Sequence, residues 1–190
     1  MNFSKSIYQW ISLSAASLAI ALGSSNQFPA QGVQTADGTV SFESGIRLVN
    51  TSATFTGVRV RQAKYYFDLE LPEDLGEPLG KVEIQQRTGG EEIEFRPERT
   101  EAYIGDRRNK VEQLQAIAIR DEATEKITIK FTQPVAPGSK VTISLKPRSN
   151  PDYGGVYLFG VTAFPEGEKA RGMYLGPGRL HFFNNGGFRY

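Results

Sequence analysis

Alternating apolar and polar side chains recur along the chain and predict β-strands. The longest example, residues 63–71, has one face made of Tyr65, Phe67, Leu69 and Leu71 and another made of Tyr66, Asp68 and Glu70. A period of two is typical of a strand with one buried face. We therefore expect the face containing Asp68 to point to solvent. Residues 82–84 and 93–95 repeat the pattern in shorter form.

Further strands follow at short intervals. Residues 116–120 and 126–131 both alternate, and the polar segment 121–125 between them predicts a hairpin. Residues 134–138 contain two prolines and end in Gly138, which predicts a turn before an alternating strand at 140–145. Residues 156–161 are apolar on both faces, so we expect an internal strand there.

Signals for helices are weak. Residues 108–114 could form a short helix and residues 75–79 a single turn. About nine short strands separated by Gly and Pro predict an all-β fold, an antiparallel, immunoglobulin-like β-sandwich with at most one or two short helical turns. We expect this domain to span residues 31–183 and residues 184–190 to form a loose, glycine-rich tail.

A small outer-membrane β-barrel is the alternative architecture. Its strands would need about 9–11 residues of sustained alternation. Most of the clear strands here are shorter, and ten prolines interrupt the chain. The sandwich is therefore favoured.

The amino terminus predicts export. Lys5 is the only charge before Asp37, and a largely apolar run at 11–22 is followed by small residues. This is the pattern of a secretory signal peptide, here residues 1–30, with cleavage after Gly23 or Ala30. The run is shorter than the about 20 apolar residues of a membrane span. We expect no span after cleavage, and a location in the periplasm or at the cell surface.

Charge and cysteine content narrow the function classes. Lys5 is the only basic residue among positions 1–30, which leaves 21 Lys and Arg against 21 Asp and Glu in the remainder. A neutral chain argues against nucleic acid as a partner, because such binders need a basic face. Arg96, Arg99, Arg107 and Arg108 suggest a basic patch, but interleaved acidic residues largely cancel it. The absence of cysteine removes disulfides, thiol catalysis and Cys-ligated metals.

Aromatic residues concentrate in the C-terminal third and supply the binding candidates, which are Asp152, Tyr153, Tyr157, Tyr174, Arg179 and His181. Aromatic rings stack on sugars or anchor a protein partner, while Arg179 or Asp152 could supply directed hydrogen bonds. The competing interpretation places most of five rings (Tyr153, Tyr157, Phe159, Tyr174 and Phe183) in the core. We also expect Tyr157 and Phe159 to lie in different environments, with Phe159 buried.

No pattern predicts catalysis, a metal site or a cofactor. His181 is the single histidine and shares a strand face with Arg179 and Phe183, and no Gly-x-Ser-x-Gly motif accompanies it. A strand histidine bonded to backbone or solvent is the simpler interpretation. Paired carboxylates at 73–74, 91–92 and 121–122 fit solvated turns. A carboxylate-based envelope hydrolase stays an alternative, since two carboxyls can meet in the fold from distant positions.

Several segments together resemble a known family. They are residues 37–42, 65–72, 76–79, 134–138 and 155–165 and the motif Gly-Pro-Gly-Arg-Leu-His-Phe-Phe at 176–183. They resemble an uncharacterised family of exported cyanobacterial proteins that carries a domain of unknown function. The resemblance implies a bacterial envelope, and it brings no catalytic residues. We therefore expect a non-catalytic envelope protein that binds another protein or a surface glycan.

Overall fold

A computed structural model describes the backbone of residues 33–34 and all of residues 38–184. The predicted signal peptide at 1–30 lies outside these residues, as does all of the predicted tail except Asn184. In the described part of the chain, no helix combines the length and the apolar character that crossing a membrane requires.

The described residues form twelve strands and one short 3₁₀ turn, joined by loops. In chain order they are β1 (Val33–Gln34), β2 (Val40–Ser41), β3 (Arg47–Ala53), β4 (Tyr65–Glu70), β5 (Leu79–Thr88), the 3₁₀ turn (Pro97–Arg99), β6 (Glu101–Gly105), β7 (Lys110–Leu114), β8 (Ala116–Asp121), β9 (Lys126–Val135), β10 (Lys140–Leu145), β11 (Gly155–Pro165) and β12 (Met173–Phe182).

Ten of these strands form two five-stranded antiparallel sheets. The first sheet has the order β3-β4-β10-β6-β7, the second has the order β12-β11-β5-β9-β8, and β1 pairs with β2 separately. The predicted all-β, immunoglobulin-like sandwich with very little helix is confirmed, and it is preferred over the alternative architecture. Strand β11 lies between β12 and β5, as its apolar character on both faces predicts.

A cluster of aromatic rings fills the space between the sheets. Phe159 of β11 lies within 6.1 Å, between ring centroids, of Tyr65, Phe67 and Phe95. Tyr65 also contacts Phe182, with a centroid distance of 5.5 Å. All these rings are buried, and tilted or edge-on pairs of this kind each add about 0.5–1.5 kcal/mol beyond the area they bury. Alternating apolar positions on β4, β11 and β12 therefore meet in one core.

Tyr157 and Phe159 do not differ in environment, so that prediction is wrong. Both are fully buried, because they are two positions apart on β11 and side chains two apart share a face.

The predicted solvent-facing side of β4 is only partly correct. Glu70 is partly exposed, but Asp68 and Tyr66 are buried. The Asp68 carboxylate accepts hydrogen bonds from Asn50 Nδ2 at 2.9 Å and Thr142 Oγ1 at 2.7 Å. The guanidinium of Arg107 lies 5.2 Å from the ring centroid of Tyr66. Neighbouring strands and the β6–β7 turn therefore cover a face that the alternation predicts to be exposed to solvent.

The local predictions for residues 108–114, 75–79 and 93–95 are wrong. Residues 108–114 form no helix: 110–114 are strand β7, and residues 75–79 contain no helical turn either. Residues 93–95 belong to no strand and make a single bridge, between Phe95 and Pro147. Pro134 lies inside β9, at a point where the pairing with β5 shifts, so its missing N–H breaks no ladder there. The strands at 116–120, 126–131 and 140–145 are confirmed.

One edge of the sandwich is closed by the approach of β12 to β3. A Cβ added to Gly178 would lie 2.6 Å from Thr51 Oγ1 and 3.1 Å from Phe67 Cε1. Glycine at this position therefore lets the two sheets approach each other. As a result, β12 is buried on one face and open to solvent on the other.

Candidate functional site

The outward face of β12 gathers most of the side chains predicted to bind a ligand. Along the end of this strand, Arg179, His181 and Phe183 are exposed while Leu180 and Phe182 are buried. The predicted shared face of Arg179, His181 and Phe183 is therefore confirmed. We define the β12 face as the outward side chains Tyr174, Arg179, His181 and Phe183.

A β-bulge brings Tyr174 onto this face. The pairing of β11 and β12 shifts between Val161 and Thr162, and Gly176 adopts a positive φ of 100° there. An inserted residue reverses the in–out alternation beyond the bulge. Tyr174 consequently points outward with 57% of its surface exposed, whereas strict alternation from Phe183 would place it inward.

The Tyr174 ring has a basic neighbour. A Cβ added to Gly160 of β11 would lie 3.3 Å from Tyr174 Cε2 and 2.7 Å from Arg87 Nε. Both side chains therefore lie over Gly160, where a larger residue would displace them. Arg87 thus adds a hydrogen-bond donor beside the exposed ring, and no pattern in the sequence signals this contact.

His181 lies against Phe183 on the surface. Their ring centroids are 4.2 Å apart and the rings are tilted by 38°. The main chain at Phe183 is held by Phe183 N–H donating to Thr56 O at 2.8 Å and Val58 N–H donating to Phe183 O at 3.1 Å. Within the described residues, no carboxylate pairs with the His181 imidazole. This arrangement offers a flat, partly polar surface and lacks the acid that orients a catalytic histidine.

The loop before β11 adds Asp152 and Tyr153 at the same end of the sandwich. Asp152 accepts a hydrogen bond from Arg59 Nε at 3.2 Å, and one carboxylate oxygen of Glu91 accepts the backbone N–H groups of both Asp152 and Tyr153. Gly154 N–H donates to Asn184 Oδ1 at 2.9 Å, which ties this loop to the residue after Phe183. The loop is therefore fixed, and Tyr153 is 64% exposed.

The family of the chain follows from a sequence comparison. A family model described as "Protein of unknown function (DUF2808)" matches residues 39–182, which include both five-stranded sheets and the whole of β12. The chain belongs to this family. No curated protein matches the sequence.

Solved structures with a similar chain path share very little sequence with this DUF2808 chain. The collagen-binding subdomain of the Enterococcus faecalis surface protein ACE has 7% identity and a TM-score of 0.42, over 70% of this chain and 96% of that one. The collagen-binding domain of a Staphylococcus aureus adhesin has 9% identity and a TM-score of 0.38, over 72% and 98%. The RrgA Jo.In complex has 13% identity and a TM-score of 0.43, over 80% and 92%.

Tyr157 is the one predicted binding residue that the DUF2808 fold removes from the surface. It is fully buried, its hydroxyl donates to Tyr153 O at 3.0 Å, and its ring packs edge-on against Phe182. A Cβ added to Gly89 would lie 2.3 Å from the Tyr157 ring, so a glycine at 89 makes room for it. Tyr157 supports the loop that carries Tyr153 and cannot contact a ligand directly.

The expectation that most of the five C-terminal rings fill the core is wrong. Tyr157 and Phe159 are buried, but Tyr153, Tyr174 and Phe183 each have more than half of their surface exposed. An exposed aromatic ring still has apolar surface that a ligand can cover, whereas a buried ring has none.

The arginines that the sequence groups together occupy two surfaces in the DUF2808 chain. Arg107 and Arg108 line a depression on the first sheet together with Asp106 and Lys140. Arg96 and Arg99 lie elsewhere, beside Lys146. Arg107 and Arg108 are exposed in the turn between β6 and β7, which agrees with a solvated loop, and only their association with Arg96 and Arg99 is wrong.

In the described part of the DUF2808 chain, two carboxyl groups meet that the sequence pairs do not predict. Glu92 and Glu125 come from different segments and meet at Arg120, whose Nε donates to Glu125 Oε2 at 2.6 Å and whose Nη2 lies 3.5 Å from Glu92 Oε1. The hydrogen bond to Glu125 raises the pKa of Glu92. Asp121 instead accepts the N–H groups of Ala123 and Thr124 in its own hairpin, which lowers its pKa.

No metal site is evident in residues 38–184. No three His, Asp or Glu side chains of this region form a group that could hold an ion.

Proposed function

We propose that this DUF2808 chain is a non-catalytic binding protein of the bacterial cell envelope, and that it binds a surface glycan through the β12 face. The observation that carries the proposal is the exposure of Tyr174 and Phe183 on one strand face, next to Arg179 and His181. Tyr153 and Asp152 extend this surface at the end of the sandwich.

The spacing of side chains on the β12 face favours a glycan over a protein. Arg179 and His181 separate the two rings, so the face has no continuous apolar centre. The cores of protein interfaces are depleted of charged residues. Sugars present apolar C–H faces to aromatic rings and hydroxyls to neighbouring polar groups, and the β12 face supplies partners for both.

The carboxyl groups support a binding role over hydrolysis. A glycosidase holds two carboxyls about 5–10 Å apart, with the bond to be cleaved between them. The carboxyl groups of Glu92 and Glu125 come from different segments and meet at one guanidinium on the surface. Arg120 already pairs with both of them, which accounts for the pair as a surface ion-pair network.

Export rests on the amino-terminal sequence. The charge on Lys5 and the apolar run at 11–22 support a cleaved signal peptide. We propose that the protein reaches the periplasm or the cell surface. Amino-terminal sequencing of protein recovered from an envelope fraction should begin at Ser24 or Gln31, whereas a chain that retains Met1 would contradict this.

The binding test uses protein-free polysaccharide extracted from cyanobacterial cell envelopes and isothermal titration calorimetry. We expect the double variant Tyr174→Ala/Phe183→Ala to bind at least about ten-fold more weakly than wild type, because stacked rings contribute about 1 kcal/mol or more each. The double variant Ile117→Ala/Ile119→Ala is the control, because these exposed apolar residues lie on β8, the opposite edge of the same sheet.

Two results would refute the glycan proposal. One is the absence of polysaccharide binding by wild type while envelope proteins are retained by the β12 face in a pull-down assay. The other is an equal loss of affinity in both double variants.

A further inference from the structure

Two adjoining depressions form a second surface, which meets the surface of the proposed function at Asp152. Their volumes are about 530 and 540 Å³, and they share Arg96. Seven basic side chains line them, namely Arg59, Arg61, Lys64, Arg96, Arg99, Lys146 and Arg148. We call these residues the basic cluster.

Part of this positive charge is uncompensated. Arg59 pairs with Asp152, Arg148 with Glu94 and Lys64 with Glu101. Within the described residues, the three remaining arginines form no ion pair; they are Arg61, Arg96 and Arg99. Since the whole chain has a formal net charge of only +1, this local excess is a property of the fold and not of the composition.

Main-chain pairing holds the basic cluster together. Arg96 N–H donates to Lys146 O, and Arg148 N–H donates to Glu94 O, each at 2.8 Å. The Lys146 ammonium donates to the carbonyl oxygens of Arg61 and Ala63. Segments distant in sequence are thus joined so that their basic side chains converge.

The electrostatic state of Lys146 agrees with this crowding. Burial lowers the pKa of the Lys146 ammonium, and the positive charges of Arg96, Lys64 and Arg99 lower it further. A bound anion would relieve the repulsion among these groups, because it would lie close to several of them at once.

We propose that the basic cluster binds the carboxylate or sulfate groups of an acidic polysaccharide. Guanidinium groups donate two parallel hydrogen bonds to such anions, and this suits a site in which three arginines form no ion pair and the Lys146 ammonium donates only to backbone carbonyls. Glu98 and Glu101 lie among the basic residues, where they can accept hydrogen bonds from sugar hydroxyls.

The same acidic residues disfavour two other polyanions. Duplex DNA carries one negative charge per about 1.7 Å of its axis, and its phosphates have no hydrogen to donate, so Glu98 and Glu101 would repel it, whereas sugar hydroxyls can donate to these carboxylates. Anionic membranes attract clusters of basic residues at a surface that can lie against the bilayer, whereas these side chains line concave depressions. Asp152 borders the first depression, but none of the four side chains of the β12 face lines either depression, and this proposal does not depend on the earlier one.

The test measures binding of the full chain to polygalacturonate and to dextran sulfate by affinity electrophoresis, with neutral dextran as the reference. We expect binding to at least one acidic polymer and none to dextran. The double variant Arg61→Ala/Arg96→Ala should bind at least about ten-fold more weakly, as expected when charge-assisted hydrogen bonds of at least about 1.4 kcal/mol in total are lost. Polygalacturonate and dextran sulfate distinguish the carboxylate from the sulfate source.

The matched control is Arg107→Ala/Arg108→Ala, which removes the same charge from the depression on the first sheet. This control should keep its affinity within about two-fold. Arg61→Lys/Arg96→Lys keeps the charge but loses the planar fork, so we expect an intermediate affinity.

Four results would overturn the proposal. They are binding of neither acidic polymer, equal losses in the two alanine variants, tighter binding of duplex DNA or anionic vesicles than of either polysaccharide, and an equal loss in Tyr174→Ala/Phe183→Ala.

Discussion

Replacing Phe159 with alanine tests the aromatic cluster on which the sandwich depends. The Phe159 ring is fully buried and has three ring neighbours, Tyr65, Phe67 and Phe95, with centroids 5.9 to 6.1 Å away. Truncating a buried Phe costs about 3–5 kcal/mol, from lost transfer energy and from the cavity that remains. We expect the upper half of that range, because three aromatic contacts disappear together.

This loss is large compared with the stability of a domain. Folded domains are stable by about 5–15 kcal/mol, so the variant should lose a substantial share. For 150–250 residues, about 2–4 °C of Tm is lost per kcal/mol, which gives a decrease of about 8–20 °C for a loss of about 4–5 kcal/mol. Urea unfolding followed by far-ultraviolet circular dichroism measures the free energy directly. Tryptophan fluorescence is unsuitable, since Trp10 is the single tryptophan and lies in the predicted signal peptide.

Phe183→Ala is the matched control for this variant. It removes the same ring from an exposed position and should change the free energy of unfolding by less than about 0.5 kcal/mol. The reasoning is refuted if Phe159→Ala lies within about 1 kcal/mol of wild type, or if the two variants lose equal stability.

Three further measurements probe other parts of the fold. Burial raises the pKa of Tyr103 to about 12. The stability that its neutral phenol contributes should therefore be complete below the unfolded pKa of about 10 and lost as the pH rises through 12. An ultraviolet titration in which Tyr103 ionises together with the exposed tyrosines would contradict this. Gly178→Ala should cost about 1–3 kcal/mol because its Cβ would meet Thr51, while Gly45→Ala, with no atom within 4 Å, should not; equal values in urea unfolding would disprove the close approach of β12 and β3. Asn150→Ala should cost more than about 2 kcal/mol, because one buried and two partly buried hydrogen bonds lose their partner, and a change under about 0.5 kcal/mol would show that they are not important.

Strands with one buried face could be predicted from the sequence. Strands β9 and β10 each bury apolar side chains at regular positions, and their patterns mark them clearly. Strand β7 could not be found this way, because it is the edge strand of its sheet and four of its five residues are exposed. Because β7 has almost no buried side, it lacks the alternation of the other strands, and its polar sequence suggested a helix instead.

Burial that depends on distant segments was also invisible. Asp68 has the alternation of a solvent-facing residue, yet Asn50 and Thr142 from flanking strands satisfy its carboxylate. The burial of Tyr157 could not be predicted from its own strand either, since the space for its ring depends on the glycine at 89. Sequence periodicity describes a single strand, whereas burial depends on what covers that strand.

In the candidate site, too, some features follow from the pattern of one strand and others depend on how strands pair. Alternation alone groups Arg179, His181 and Phe183, since Arg179 and His181 lie two residues apart on β12 and Phe183 directly follows the end of this strand. The place of Tyr174 depends on a bulge, and the bulge depends on pairing with β11. The basic cluster depends on pairing between segments about fifty residues apart, so no local motif announces it.

The most direct test of the account is a map of where the envelope polysaccharide binds. Amide resonances of the isotope-labelled protein would be followed by nuclear magnetic resonance during titration with the protein-free polysaccharide. We predict that the largest shifts fall on Tyr174, Arg179, His181 and Phe183, with smaller shifts at Tyr153. Shifts confined to the first sheet or to β8, with β12 unchanged at saturation, would contradict the claim that β12 is the ligand-binding face.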